Sequence, residues 1–293
     1  MKKIVQLILT STLTLSAFAQ KIPTIAIKKS DVTHLPLTDQ LKETSGLIFW
    51  NERLWSHNDD AHTRIYGMNV ESGEVEKEIA IPNLTITDWE ELQHDKTHFY
   101  IGDFGNNFKG NRTDLRILKV NKTTRKIDAI EFSYPEQTEF ETQKSNTTNY
   151  DCEAFLVSDS MIYLFTKEWN SGNVTLYKVP NKAGVHRAKK IKELQVNGLV
   201  TGATFNFKRD KIVLSGYTKT LSPFLVLLEN FTKDNFFECK ITKLKLPKTF
   251  FQMEAVTFID EKTIAVTNEA FKHAIINSKQ ELSIINLSSY LGK

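Results

Sequence analysis

Cysteine is nearly absent: Cys152 and Cys239 are the only two in 293 residues. That excludes a disulfide scaffold and a thiolate zinc site, both of which need more cysteines at closer spacing. The two fall in different repeat units, where the expected Cα separation exceeds disulfide reach. Helical periodicity is missing too, since no stretch keeps an apolar stripe for three turns. No long apolar run follows the first 20 residues, so no membrane span is expected in the mature chain. Charge of one sign is not in excess, with 38 basic against 35 acidic residues, and nucleic acid is not an expected partner. Gly102, Gly105 and Gly202 suit tight turns and precede no helix, so they form no phosphate cradle and nothing calls for an organic cofactor.

What is present begins with a leader. Lys2 and Lys3 precede an apolar run that ends in Ala17, Phe18, Ala19, a small-x-small cleavage site, so residues 1–19 read as a signal peptide. The run is too short to span a membrane as an anchor, and no cysteine follows Ala19 to carry a lipid. Residues 20–293 are then expected to form one exported domain, periplasmic or extracellular and monomeric. Its 40% apolar content suffices for a sizeable core.

Short runs of Ile, Val, Phe, Tyr and Thr, broken by Asn, Lys, Gly and Asp, recur along the chain and predict strands. They fall into five units. The first strands carry Ser45, Glu90, Glu153, Gly202 and Glu254 in one column and Glu43, Asp88, Asp151, Val200 and Gln252 two residues earlier. The second strands end in Asn58, Asp103, Thr166, Gly216 and Asn268, followed by Asp59, Phe104, Lys167, Tyr217 and Glu269. A period of roughly 50 residues with four strands per unit predicts an all-β propeller of five blades. Six blades would follow if residues 137–149 held strands, but their Thr, Asn, Gln and Glu read as a surface loop. The fifth unit lacks a fourth strand, which residues 23–28 are expected to supply, closing the ring and removing its open edges. The basic run from His186 to Lys192 reads as a solvated edge strand.

In a propeller, equivalent residues of each blade surround one axis, so a repeated motif becomes a cluster. Glu43, Asp88, Glu90, Asp151, Glu153 and Glu254 are therefore the candidate metal ligands: crowded carboxylates raise one another's proton affinity unless a cation separates them. Oxygen donors without a histidine cluster favour Ca²⁺, or Mg²⁺ with retained waters, over zinc. The other reading is that these acids only cap strand ends. Asn58, Asp59, Asp103, Arg112, Lys167 and Asn268 are placed at the same mouth as candidate ligand-binding groups, Lys167 and Arg112 being suited to an anion or to salt bridges between blades. His57 and Glu269 are the candidate bases if the site is catalytic. Ser45 lacks the strand-to-helix elbow of a serine nucleophile, and Trp55 and Trp89 read as packing between blades.

Taken together, Glu43-Thr44-Ser45-Gly46-Leu47, Trp55-Ser56-His57-Asn58-Asp59, Asp88-Trp89-Glu90-Glu91, Gly102-Asp103-Phe104-Gly105-Asn106-Asn107 and Asp151-Cys152-Glu153-Ala154 are similar to motifs of exported bacterial propellers of the SdiA-regulated and esterase-like phytase groups. The resemblance covers nearly all of the mature chain. It implies an extracytoplasmic propeller, with calcium binding in some relatives and phosphoester or lactone hydrolysis in others. This chain departs from the pattern at Val200-Thr201-Gly202 and at Gln252, where acids are missing. The expected function is a cation-binding mouth that takes a ligand or a protein partner. A metal-dependent hydrolase and a purely structural interaction propeller are the alternatives.

Overall fold

A computed structural model describes residues 22–59, 63–82, 84–85, 87–273 and 276–292. The leader and His62 lie outside them. Strands dominate, and the two helical elements are single 3₁₀ turns at Lys29–Asp31 and Asp39–Leu41.

Five blade sheets form among the described residues, one for each repeat unit, together with a separate two-stranded hairpin of Phe271–His273 and Ile276–Ser278. Blade 1 spans Thr44–Trp50, Arg53–Asn58, Arg64–Met68 and Val75–Ala80, and blade 2 spans Trp89–His94, His98–Asp103, Arg116–Asn121 and Ile127–Ser133. Blade 3 uses Asp151–Val157, Met161–Lys167, Val174–Pro180 and Lys189–Leu194. Blade 4 uses Leu199–Phe205, Lys211–Tyr217, Pro223–Glu229 and Lys240–Lys245. Blade 5 uses Met253–Phe258, Thr263–Asn268, Glu281–Asn286 and the N-terminal Val32–Pro36. The five first strands contact one another in a closed ring. Residues 137–149 hold no strand, which settles the count at five.

Closure by the N-terminus is as expected, but the segment differs. Val32–Pro36, not residues 23–28, pairs antiparallel with Glu281–Asn286. Thr24–Ala26 instead adds a fifth, parallel strand to blade 4 through Lys243–Lys245. The basic run also divides: Gly184–Arg187 pairs parallel with Ile130–Ser133 of blade 2, while Lys189–Leu194 is the outer strand of blade 3. Both are edges, where lysine discourages pairing with another chain.

No single core exists. Apolar side chains form five clusters, each filling the wedge between two neighbouring blades. Trp55 and Trp89 are buried together in the wedge between blades 1 and 2, as expected of inter-blade packing. Strands buried on both faces explain the near-continuous apolar run Phe-Leu-Val-Leu-Leu in Pro223–Glu229. Cys152 is buried, Cys239 is half-buried, and both are free thiols.

Candidate functional site

Every first strand carries a β-bulge at the same level. The extra residue is Gly46, Glu90, Glu153, Thr201 or Glu254, each skipped between two paired neighbours. A bulge adds a residue without a partner and re-aims its side chain, so repetition around the ring turns this position toward the axis. Three of the five are glutamates, and all three line one cavity of about 310 Å³.

The bulge corrects the sequence columns by one residue in two blades. In blade 1 the equivalent residues are Thr44, Gly46 and His57, not Glu43, Ser45 and Asn58; in blade 4 they are Leu199 and Thr201, not Val200 and Gly202. Matching side-chain polarity across units cannot fix register, whereas backbone pairing does. Gly46 has φ 64°, and a Cβ there would lie 2.5 Å from Leu92 N and 2.7 Å from His57 Nε2, so blade 1 can bring no carboxylate to this level. Ser45 and Thr201 serve the scaffold, donating hydrogen bonds to Glu90 O and Met253 O of the following blades, both at 2.6 Å.

The acid-rich cavity is lined by Asp59, Asp88, Glu90, Glu153, Glu254 and Glu269, with Lys167 as its cation and Gln252 and Phe108 beside them. Lys167 Nζ lies 2.8 Å from Glu153 Oε1, and both side chains are almost wholly buried. Burial alone would lower the Lys167 pKa, but Glu153, Tyr217, Glu254 and Asp151 outweigh it and hold the ammonium above the ordinary lysine range. Its charge also stands 4.9 Å from the Trp169 ring centre and 5.5 Å from that of Tyr217.

One ammonium does not balance Asp88, Glu90, Glu153, Glu254 and Glu269. Burial, then the Glu153 charge, raises Glu90 well above its usual range. Burial raises Glu254 as well, with Lys167 opposing and Glu269 and Glu153 adding. Asp88 is pushed up to about 6 by burial and Asp151, and Glu269 to about 7 by burial and Asp59. Glu254 Oε1 is buried with no hydrogen-bond partner, an exception in a protein interior. Gly105 makes the crowding possible: a Cβ there would fall 2.2 Å from Glu90 Oε1 and 2.3 Å from Asp88 Oδ2.

The remaining candidates divide. Asp151, pushed up to about 8 by burial and Glu153, is held by Asn106 N and Trp169 Nε1, each at 2.7 Å, just behind the cavity. Glu43 is exposed and outside the lining set, though its charge acts on Glu269. Asp103 is fully buried and ion-paired to Arg112 at 3.3 Å and Arg116 at 2.7 Å; it also accepts from the backbone of Thr87 and Asp88. Arg112 directs its other donors to Gly105 O, Asp103 O and Asp114, so this pair braces the loop of blade 2. Asn58 and Asn268 tie their side chains to backbone, Asn58 through Gln40 O and Asn268 through Glu269 O, Lys279 O and Glu281 N. His57 is fully buried between blades, 5.5 Å from the Trp89 ring centre and bonded to Asn58 O, and it is not among the lining residues.

Glu91, one residue past the bulge, was not singled out by the sequence. Its carboxylate accepts from Leu92 N at 2.9 Å and from Ala203 N of blade 4 at 3.2 Å, and it also bonds Leu47 N of blade 1. Gln93 donates to Ala203 O at 2.9 Å. Fully buried, Glu91 thus reaches across the axis below the cavity and plugs it. The adjacent pair Glu90-Glu91 was the available signal, because two successive acids on a bulge cannot both point to solvent. Among the described residues no group of three or more His, Cys, Asp or Glu is placed so that it could hold a metal ion as it stands, and no helix is long and apolar enough to cross a membrane.

No protein-family model and no curated protein sequence matches the chain. Solved structures similar to it include a gluconolactonase from Xanthomonas campestris, at 10% identity and TM-score 0.48, covering 87% of this chain and 90% of that one. A Myxococcus xanthus glutaminyl cyclase matches at 9% identity and TM-score 0.49, over 91% of this chain and 100% of the other. The WD40 domain of Neurospora crassa Pan2 matches at 11% identity and TM-score 0.43, over 90% and 72%.

Proposed function

We propose that this chain is an exported propeller whose acid-rich mouth binds one divalent cation and, through it, a ligand or partner. The observation that carries the reading is the charge imbalance: among the described lining residues Asp88, Glu90, Glu153, Glu254 and Glu269 face the ammonium of Lys167, and Glu254 Oε1 has no hydrogen-bond partner among them. Groups held protonated by crowding are poised to release their protons to a competing cation. The donors are all oxygen, which selects Ca²⁺, with Mg²⁺ second. Glu90, Glu254 and Asp88 would close on the ion to hold it, while Lys167, paired with Glu153, sets the net charge that a ligand meets. The resemblance to the SdiA-regulated and esterase-like phytase groups points the same way.

Calorimetric titration of chelator-treated protein with Ca²⁺ tests this. Saturable binding with proton release, lost in Glu254→Gln, is expected; no heat at millimolar Ca²⁺ would overturn it.

A second reading, hydrolysis of phosphoesters or lactones, is favoured by Glu269. Its carboxyl lines the cavity with a pKa about 7, suited to general-base work at neutral pH. Turnover of a phosphoester or lactone panel that disappears in Glu269→Gln, with Ca²⁺ binding intact, would establish it.

A further inference from the structure

The opposite end of the axis has a different chemistry. Where the first strands finish, all five blades contribute to a second cavity of about 210 Å³, lined among others by Phe49, His94, Phe205, Phe207 and Arg209. Phe207 is 55% exposed and meets Phe49 edge-on at 6.4 Å. Of the carboxylates close by, Asp95 is engaged with Tyr100 OH and the Thr97 and His98 backbone and Asp210 with Asn206, while the charge of Asp159 acts on Arg209 from beyond ion-pair distance.

Arg209 is held for a purpose its own fold does not supply. Asn206 Oδ1 accepts from Asp210 N and Lys211 N, and Arg209 N bonds Asn206 O, fixing a tight turn. In that turn Arg209 adopts φ 57°, uncommon for a long side chain. Its guanidinium stacks 4.1 Å from the Phe205 ring centre and donates to Val157 O, and it makes no ion pair among the described residues. Its guanidinium is thus pre-positioned at the edge of a cavity with aromatic walls, on the border with a neighbouring cavity lined by Tyr163 and Asp234. Pre-positioned guanidinium beside exposed rings selects a carboxylate carried on a flat apolar body.

We infer that this end of the propeller is a second binding site, for a small aromatic carboxylate whose ring lies against Phe49 and Phe207 and whose charge is met by Arg209. The site is independent of the acid-rich mouth, from which Glu91 separates it.

Binding of 2-naphthoate and its neutral isostere 2-naphthamide, followed by fluorescence or ligand-observed NMR, is the test. The acid should bind about tenfold more tightly than the amide. Arg209→Asn, chosen because asparagine tolerates positive φ, should bring the acid down to the amide's affinity and leave Ca²⁺ titration at the other mouth unchanged. Phe207→Ala, at an exposed position, should weaken both compounds. Equal affinities for acid and amide, an unchanged affinity in Arg209→Asn, or no saturation by either compound at millimolar concentration would each overturn the assignment.

Discussion

Asp103 and Glu254 are both fully or almost fully buried acids near the same mouth, yet they live under opposite rules. Asp103 receives two arginines and two backbone N–H groups. Glu254 has an oxygen without a hydrogen-bond partner among the described residues, and the charges of Glu269 and Glu153 work against that of Lys167. The first environment spends a carboxylate on holding a loop; the second keeps one in reserve. A buried acid is therefore a functional candidate not because it is buried but because its surroundings fail to satisfy it.

The contrast can be broken most forcefully at Asp103. Replacement by Ala leaves two arginines facing a vacated, water-poor site and should cost about 3–5 kcal/mol of stability in denaturant unfolding. A loss under 1 kcal/mol would show that the pair is ornamental. Gly105→Ala should come next: the added methyl collides with Glu90 and Asp88, so Ca²⁺ affinity should fall at least about tenfold while the thermal midpoint drops by only a few degrees. Glu254→Gln should do the reverse of the Asp103 change, keeping or raising stability by about 1 kcal/mol while removing cation binding.

Acidity offers a subtler probe. Asp88, Glu269 and Asp151, held at about 6, 7 and 8, keep protons in the folded protein that the unfolded chain has already released above pH 4. The folded state then binds more protons, so stability should decline as pH rises from about 5 to 8, and saturating Ca²⁺ should flatten that slope. Asp95 supplies the smallest and opposite effect. Hydrogen bonds from Tyr100, Thr97 and His98 overcome its burial and hold it at about 2. Its contribution is present above pH 4 and lost as pH falls toward 2; Asp95→Asn should remove that acid limb alone, as read by thermal unfolding at pH 3 and pH 6.

Much of this was legible in the chain before any coordinates. Glu90, Glu153 and Glu254 recur at blade spacing, and they do meet in one cavity. Blade 1 misled because Ser45 looks like a better match for a glutamate than Gly46 does. Only backbone pairing reveals that the bulge falls on the glycine, with His57 and Leu92 occupying the space a side chain would need. Glu91 escaped notice because its partners, Ala203 and Leu47, are brought near by the ring and by nothing local. Residues 23–28 and the basic run read as strands, but the parallel pairing of Thr24–Ala26 and Gly184–Arg187 was hidden, since parallel edge additions carry no turn signal. Of the two uses read for Arg112, an anion or a salt bridge, the loop takes the second, but proximity to Asp103 in sequence does not show how many of its donors that loop consumes.

The clasp between Val32–Pro36 and Glu281–Asn286 sets a timetable for folding. His34 and Ser283, joined by a 2.8 Å hydrogen bond, are 249 positions apart. A ribosome must therefore add 249 residues beyond His34 before that pair can form and Val32–Pro36 can find its mate. Until then the fifth sheet has an unpaired margin, and a nascent chain stalled there is the species most in need of a chaperone.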